Sequence, residues 1–215
     1  MVAKSKEHKS CRKAMITRET KETQIEVTIN LDGTGKVTVD TGIGFFDHML
    51  NSFGRHGLFD LEIKATGDLY VDCHHLIEDT GIVIGEAIKK ALGEKKSIKR
   101  YGNATLPMDE ALVLCAIDLS GRPFYSSDLR FTNPSVGYFD TAMVKEFFYA
   151  VSYSAGMNLH FKMFSGENDH HIIECAFKAF AKALDMATQV DERIEDVLST
   201  KGTLLEEFMN SIKHI

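Results

Sequence analysis

Two stretches of this 215-residue chain carry the same set of metal-competent side chains. DCHHLIEDTGIVIGEAI holds His74, His75 and Glu78, and NDHHIIECAFKAFAKAL holds His170, His171 and Glu174. Residues four apart on a helix lie about 40° from each other around the axis, whereas neighbours lie about 100° apart. His74 therefore faces with Glu78, His170 faces with Glu174, and the second histidine of each pair points elsewhere. A His/Glu pair can chelate one ion while the spare histidine serves another, so two facing copies could build a dinuclear centre. Imidazole and carboxylate donors without thiolate suit Mn, Fe, Co, Ni or Zn.

The elements that would hold these residues also recur. TQIEVTIN and KVTVD alternate apolar and polar residues on either side of LDGTG, which predicts a strand, a hairpin and a second strand. Phe46, Met49, Leu50 and Phe53 follow helical spacing up to Gly57, and LFDLEIKA reads as a strand with Phe59, Leu61, Ile63 and Ala65 on one face. The first HHxxE then opens a helix towards Leu92. The second half repeats this order through ALVLCAIDLSGRPF, the helix Val144 to Ala155, the strand NLHFKM and the second HHxxE helix. A shift of 98 positions lays Phe46, Met49, Leu50 and Phe53 on Val144, Phe147, Phe148 and Val151, and a shift of 96 superposes the histidine pairs. Two like supersecondary units are implied.

The repeat proposes further ligands, because the 98-residue shift places His48 opposite Glu146. His48, His74, His75, Glu78, Glu146, His170, His171 and Glu174 are enough for two metals at four protein ligands each. Other features read more simply. A single HHxxE alone would favour caps or surface histidines, and its duplication is what favours metal. His160 alternates with Asn158 and Lys162 on a polar face and reads as a surface residue. Gly42 to Gly44 lack the lysine and spacing of a phosphate loop and read as a turn. Cys11, Cys73, Cys115 and Cys175 form no CxxC, which suits reduced thiols in a cytoplasmic protein.

With 44% hydrophobic residues the chain can bury a sizeable core. A net charge of -6 opposes nucleic-acid binding, and no apolar run is long enough to span a membrane. The basic stretch Lys4 to Lys13 reads as a solvated tail, which gives a tail over 1–17, a main domain over 18–204 with pseudo-repeats over about 18–97 and 98–192, and an extension over 205–215. In that extension Leu205, Phe208, Met209 and Ile212 have the spacing of a short helix.

The motifs TGIGFFDHML, DCHHLIEDTGIVIGEA, RYG, LPMDEAL, DLSGRP, NDHHIIECAFKAFAKAL and STKG, in this order, resemble the imidazoleglycerol-phosphate dehydratase family from about Arg18 to Leu204. The resemblance implies a lyase of histidine biosynthesis that dehydrates D-erythro-imidazole-glycerol phosphate to imidazole-acetol phosphate. It implies an α+β fold of two duplicated halves with helices packed between two mixed β-sheets, of the ribosomal S5 domain 2-like type. It also implies two Mn(2+) ions per active site, binding the substrate as imidazolate, in a homo-oligomeric shell of twenty-four chains with interfacial sites. One ion would take His48, His75, His170 and Glu174, and the other His74, Glu78, His171 and the residue at 146. The family often has histidine at that last position, where this chain has Glu146. Glu22 and Glu174 are implied in catalysis. Substrate contacts are implied for Glu22, His48, His56, His74, Glu78, Arg100, Arg122, His170, Lys178, Ser199 and Lys201.

Two other classes share the ligand set. A dinuclear metallohydrolase would use it to hold a bridging hydroxide and would hydrolyse esters lacking any imidazole. A metal-binding shell protein without activity would have no use for Arg100, Arg122 and Lys178. A ferritin-like bundle is disfavoured, because strands separate the helices.

Overall fold

A computed structural model describes residues 12–204. The chain order is β1 (Lys13–Glu19), β2 (Thr23–Asn30), β3 (Val37–Asp40), α1 (Gly44–Gly57), β4 (Asp60–Gly67), α2 (His74–Leu92), β5 (Tyr101–Met108), β6 (Ala111–Asp118), β7 (Phe124–Ser127), the short β8 (Ser135–Val136) and β9 (Phe139–Asp140), α3 (Met143–Ala155), β10 (Asn158–Ser165) and α4 (Asp169–Thr188). The strands form two mixed four-stranded sheets with the same connectivity, β1-β2-β4-β3 and β5-β6-β10-β7. In each, a short edge strand runs parallel to the strand that follows the first helix, β3 with β4 and β7 with β10. The expected α+β architecture is the observed one.

Each sheet presents its alternating apolar face to the helices. Ile25, Val27 and Ile29 of β2 and Leu61, Ile63 and Ala65 of β4 are buried, as are Val113, Cys115 and Ile117 of β6. Helix α2 covers β1 and β2, α4 covers β5 and β6, and the halves meet where α1 packs on α4 and α3 on α2. Phenylalanines fill that middle layer: Phe53 stacks on Phe180 at 5.2 Å and Phe147 on Phe177 at 5.2 Å, and Phe46 meets Phe147 edge-on. Burying one such ring stabilises the fold by roughly 1.5–3 kcal/mol, so the helix layer is the rigid platform for anything on its ends.

Two expectations need correction. β2 and β3 are not a hairpin: β4 lies between them, antiparallel to β2 and parallel to β3. Pairing on both edges lets β4 bury Leu61, Ile63 and Ala65 at the middle of the sheet, and the Asp60 carboxylate, which accepts from Thr34 N (2.8 Å) and Lys36 N (3.1 Å), ties the connecting loop to its start. Residues 13–17, read as part of a tail, belong to β1, paired with β2 from Lys13↔Asn30 to Glu19↔Gln24. β1 is an edge strand with only Ala14 buried, so charges along it meet water. The proposed helix after Leu204 lies outside the described residues.

Candidate metal centre

Both histidine pairs open helices, and at each start a side chain accepts from the backbone N–H of the first histidine. Asp72 Oδ1 accepts from His74 N at 2.7 Å and Asn168 Oδ1 from His170 N at 2.9 Å, which satisfies backbone donors that a helix start leaves free. His74 Nε2 lies 3.2 Å from Glu78 Oε2, and His170 Nε2 lies 3.2 Å from Glu174 Oε2. The second histidines turn away: His75 Nδ1 is 3.0 Å from Asp68 Oδ2, and His171 Nδ1 is 2.8 Å from Glu110 Oε2.

Because α1 packs on α4, His48 joins the second pair. Its Nε2 lies 3.3 Å from Glu174 Oε2, and its ring centroid is 5.8 Å from that of His170. Among the described residues, His48, His170 and Glu174 form a group whose donor atoms all lie within 4.8 Å of one another. Two imidazoles and a carboxylate suit a divalent cation. Burial pushes the Glu174 carboxyl up, but Lys178, with Nζ 2.7 Å from Oε1, and His48 outweigh it and leave the group below its ordinary value. The carboxylate is thus held ionised with Oε2 facing the imidazoles. His56 is shifted down, first by partial burial and then by the nearby charges of Lys178 and Lys182.

A family profile for imidazoleglycerol-phosphate dehydratase matches residues 41–184. The enzyme of that name from Lachnoclostridium phytofermentans is 64% identical over 193 residues, covering 90% of this chain and 98% of its own. The one from Acetivibrio thermocellus is 58% identical over 193 residues, covering 90% and 99%. The chain belongs to the imidazoleglycerol-phosphate dehydratase family. The solved structure of the Pyrococcus furiosus dehydratase in complex with (S)-C348 superposes with a TM-score of 0.76 at 42% identity, covering 88% of this chain and all of that one. The Staphylococcus aureus dehydratase does so with a TM-score of 0.76 at 38% identity, covering 83% and 99%.

The other residues implied by the dehydratase resemblance fall into two places. Glu22 sits in the β1–β2 turn with Oε2 3.9 Å from His75 Nδ1. That turn is held by Thr23, whose Oγ1 donates to Asp79 Oδ2 at 2.5 Å, while Asp79 Oδ1 lies 3.0 Å from Arg18 Nε. Arg100, Arg122, Ser199 and Lys201 line one cavity of about 910 Å³ at the far end of the second sheet. Arg100 is fixed there by a two-point pair with Asp118, at 2.7 and 3.1 Å, which with partial burial opposing it raises the guanidinium further. The Arg100 backbone N–H also donates to Ala187 O at the end of α4, at 2.9 Å. Ala187 lies thirteen positions along α4 from Glu174, so the cavity lies roughly 20 Å from the metal-competent group.

His75 and Glu78 do not join the His48 group, nor does Glu146, which lies half-buried on α3. Asp68 and Glu110, which touch the second histidines, were not singled out from sequence. A signal was present for Glu110. β2 and β6 superpose with a shift of 88 (Thr23 to Ala111), which lays Glu22 on Glu110.

Proposed function

We propose that His48, His170 and Glu174 form one half of a dinuclear manganese site, with His74, Glu78 and Glu146 as its pseudo-symmetric other half. His75 and His171 complete the two halves from neighbouring copies. The reaction is the dehydration of imidazoleglycerol phosphate in histidine biosynthesis. The observation that carries this reading is the convergence of His48, His170 and Glu174 within 4.8 Å. Manganese bound there would supply positive charge to stabilise the substrate imidazole as its anion.

The chain's own groups perform the remaining tasks. A hydroxyl leaves from the carbon beside the ring and a proton leaves the next carbon, after which the enol tautomerises to the ketone. Glu22 is exposed and beside His75, so it can carry one of the two protons. Arg100 is pre-oriented by Asp118, and with Arg122, Lys201 and the Ser199 hydroxyl it offers the forked and single donors that a phosphate dianion accepts. Roughly 20 Å is too far for one small molecule to bridge, so ring and phosphate would be held by different chains. This supports an assembly with shared sites, and we take twenty-four chains as its size.

Metal-loaded protein given imidazoleglycerol phosphate is expected to yield the ketone, and chelator-stripped protein is not. No product from loaded, assembled protein would overturn the reading. Glu22→Gln should lower turnover by about 10²–10⁴-fold with bound metal unchanged; near-normal turnover would remove Glu22 from the chemistry.

A further inference from the structure

The two second histidines, His75 and His171, are each held through Nδ1 by a carboxylate, but the carboxylates come from different places in the repeat. Asp68 follows β4 and contacts His75 with both oxygens, at 3.0 and 3.3 Å. The 98-residue shift that lays β4 on β10 breaks at the bulge between Met163 and Ser165, and among the described residues the carboxylates at His171 are Glu110 and, 3.8 Å from Nε2, Asp109. In that half the partner is Glu110, from the β5–β6 connection. Glu110 Oε2 is 2.8 Å from His171 Nδ1, and Oε1 accepts from Asn168 N (2.8 Å) and Glu167 N (3.2 Å). Glu110 is the counterpart of Glu22, which stands 3.9 Å from His75 because Asp68 already holds that ring.

We propose that Glu110 is a positioning residue that sets which nitrogen of His171 meets a metal, and that Asp68 does the same for His75. This rests on the manganese reading above. A carboxylate bound at Nδ1 keeps the proton there and leaves the Nε2 lone pair for the ion. Asp68 occupies Nδ1 of His75 and leaves Glu22 uncommitted, whereas in the second half Glu110 itself holds His171. One repeated glutamate is therefore a fixed ring-holder in the second half and a free acid/base in the first.

Glu110→Gln tests this without removing bulk. The two backbone N–H groups on the Oε1 side will draw the amide oxygen, which turns the NH2 towards His171. Nδ1 must then accept and the proton moves to Nε2, which blocks ligation. Titration of the assembled, metal-stripped protein with Mn(2+), read as metal content and affinity, should show two ions per subunit for the unmodified chain. In Glu110→Gln one ion should weaken by about 10- to 100-fold and the other bind as before. Asp68→Ala should weaken the other ion, with a smaller loss because its ring is left free to take either tautomer. The melting temperature of each metal-free variant should match the unmodified protein. Unchanged affinity for both ions in both variants would overturn the proposal, as would a loss shared equally by both ions with a lowered metal-free melting temperature. An unmodified protein that takes up no manganese would instead overturn the metal reading itself.

Discussion

Glu174 on α4 has a side chain 9% exposed, pinned between Lys178 and two imidazoles, whereas its counterpart Glu78 on α2 has a side chain 41% exposed and pairs with His74. The scaffolds around the two are alike, so the difference lies in a few positions. Lys178 corresponds to Ile82 (178 less 96), and His48 corresponds to Glu146 (48 plus 98). The first group thus combines one carboxylate with an ammonium, and the second would bring two carboxylates to one imidazole with no cation. Like charges brought together repel, so on the proposed reading the first can close on its own while the second would need an ion to do so. Helix contact differs as well: α2 meets α3 through Gly81 and Gly85, where α4 has Phe177 and Ala181.

The sharpest way to separate the halves is to remove their carboxylates singly. Glu174→Ala should abolish the ready-made group; losing several kcal/mol of metal-derived stabilisation lowers kcat/KM by about 10³-fold, readable in a steady-state assay. Glu146→Ala should leave that group intact and weaken only the second ion, by at least about 100-fold, since a lost ligand costs no less than a lost outer partner. Glu146→His instead makes the halves alike, and metal content should stay at the unmodified value; full retention of both ions in Glu146→Ala would exclude position 146 as a ligand. Gly85→Ala is the mildest: the added Cβ would sit 2.7 Å from Ser154 Cβ and 2.8 Å from Val151 O. A melting curve should show a loss of about 1–3 kcal/mol, with the second ion affected more than the first.

The element order and the His/Glu faces were legible because helical and strand periods are local. Leu61, Ile63 and Ala65 announce β4, and the four-residue spacing alone pairs His170 with Glu174. The strand order was not legible, because it depends on pairing between distant segments: β4 inserts between β2 and β3, and its Asp60 holds Lys36 N from 24 residues further on. β1 was missed because an edge strand with a single buried residue leaves no apolar signature. Glu110 and Asp68 escaped for a related reason: a carboxylate next to a turn reads as solvated until a histidine from another element is seen against it.

The distance of roughly 20 Å between the Arg100 cavity and the Glu174 group has a genetic consequence on the proposed reading. If no chain uses its own cavity with its own metals, two differently damaged alleles can repair each other. Chains bearing Arg100→Ala with Arg122→Ala and chains bearing Glu174→Ala should each be inactive alone, yet regain turnover when co-assembled, because some junctions would unite an intact cavity with an intact metal group. Activity that stays absent in co-assembled material would place both functions within one chain.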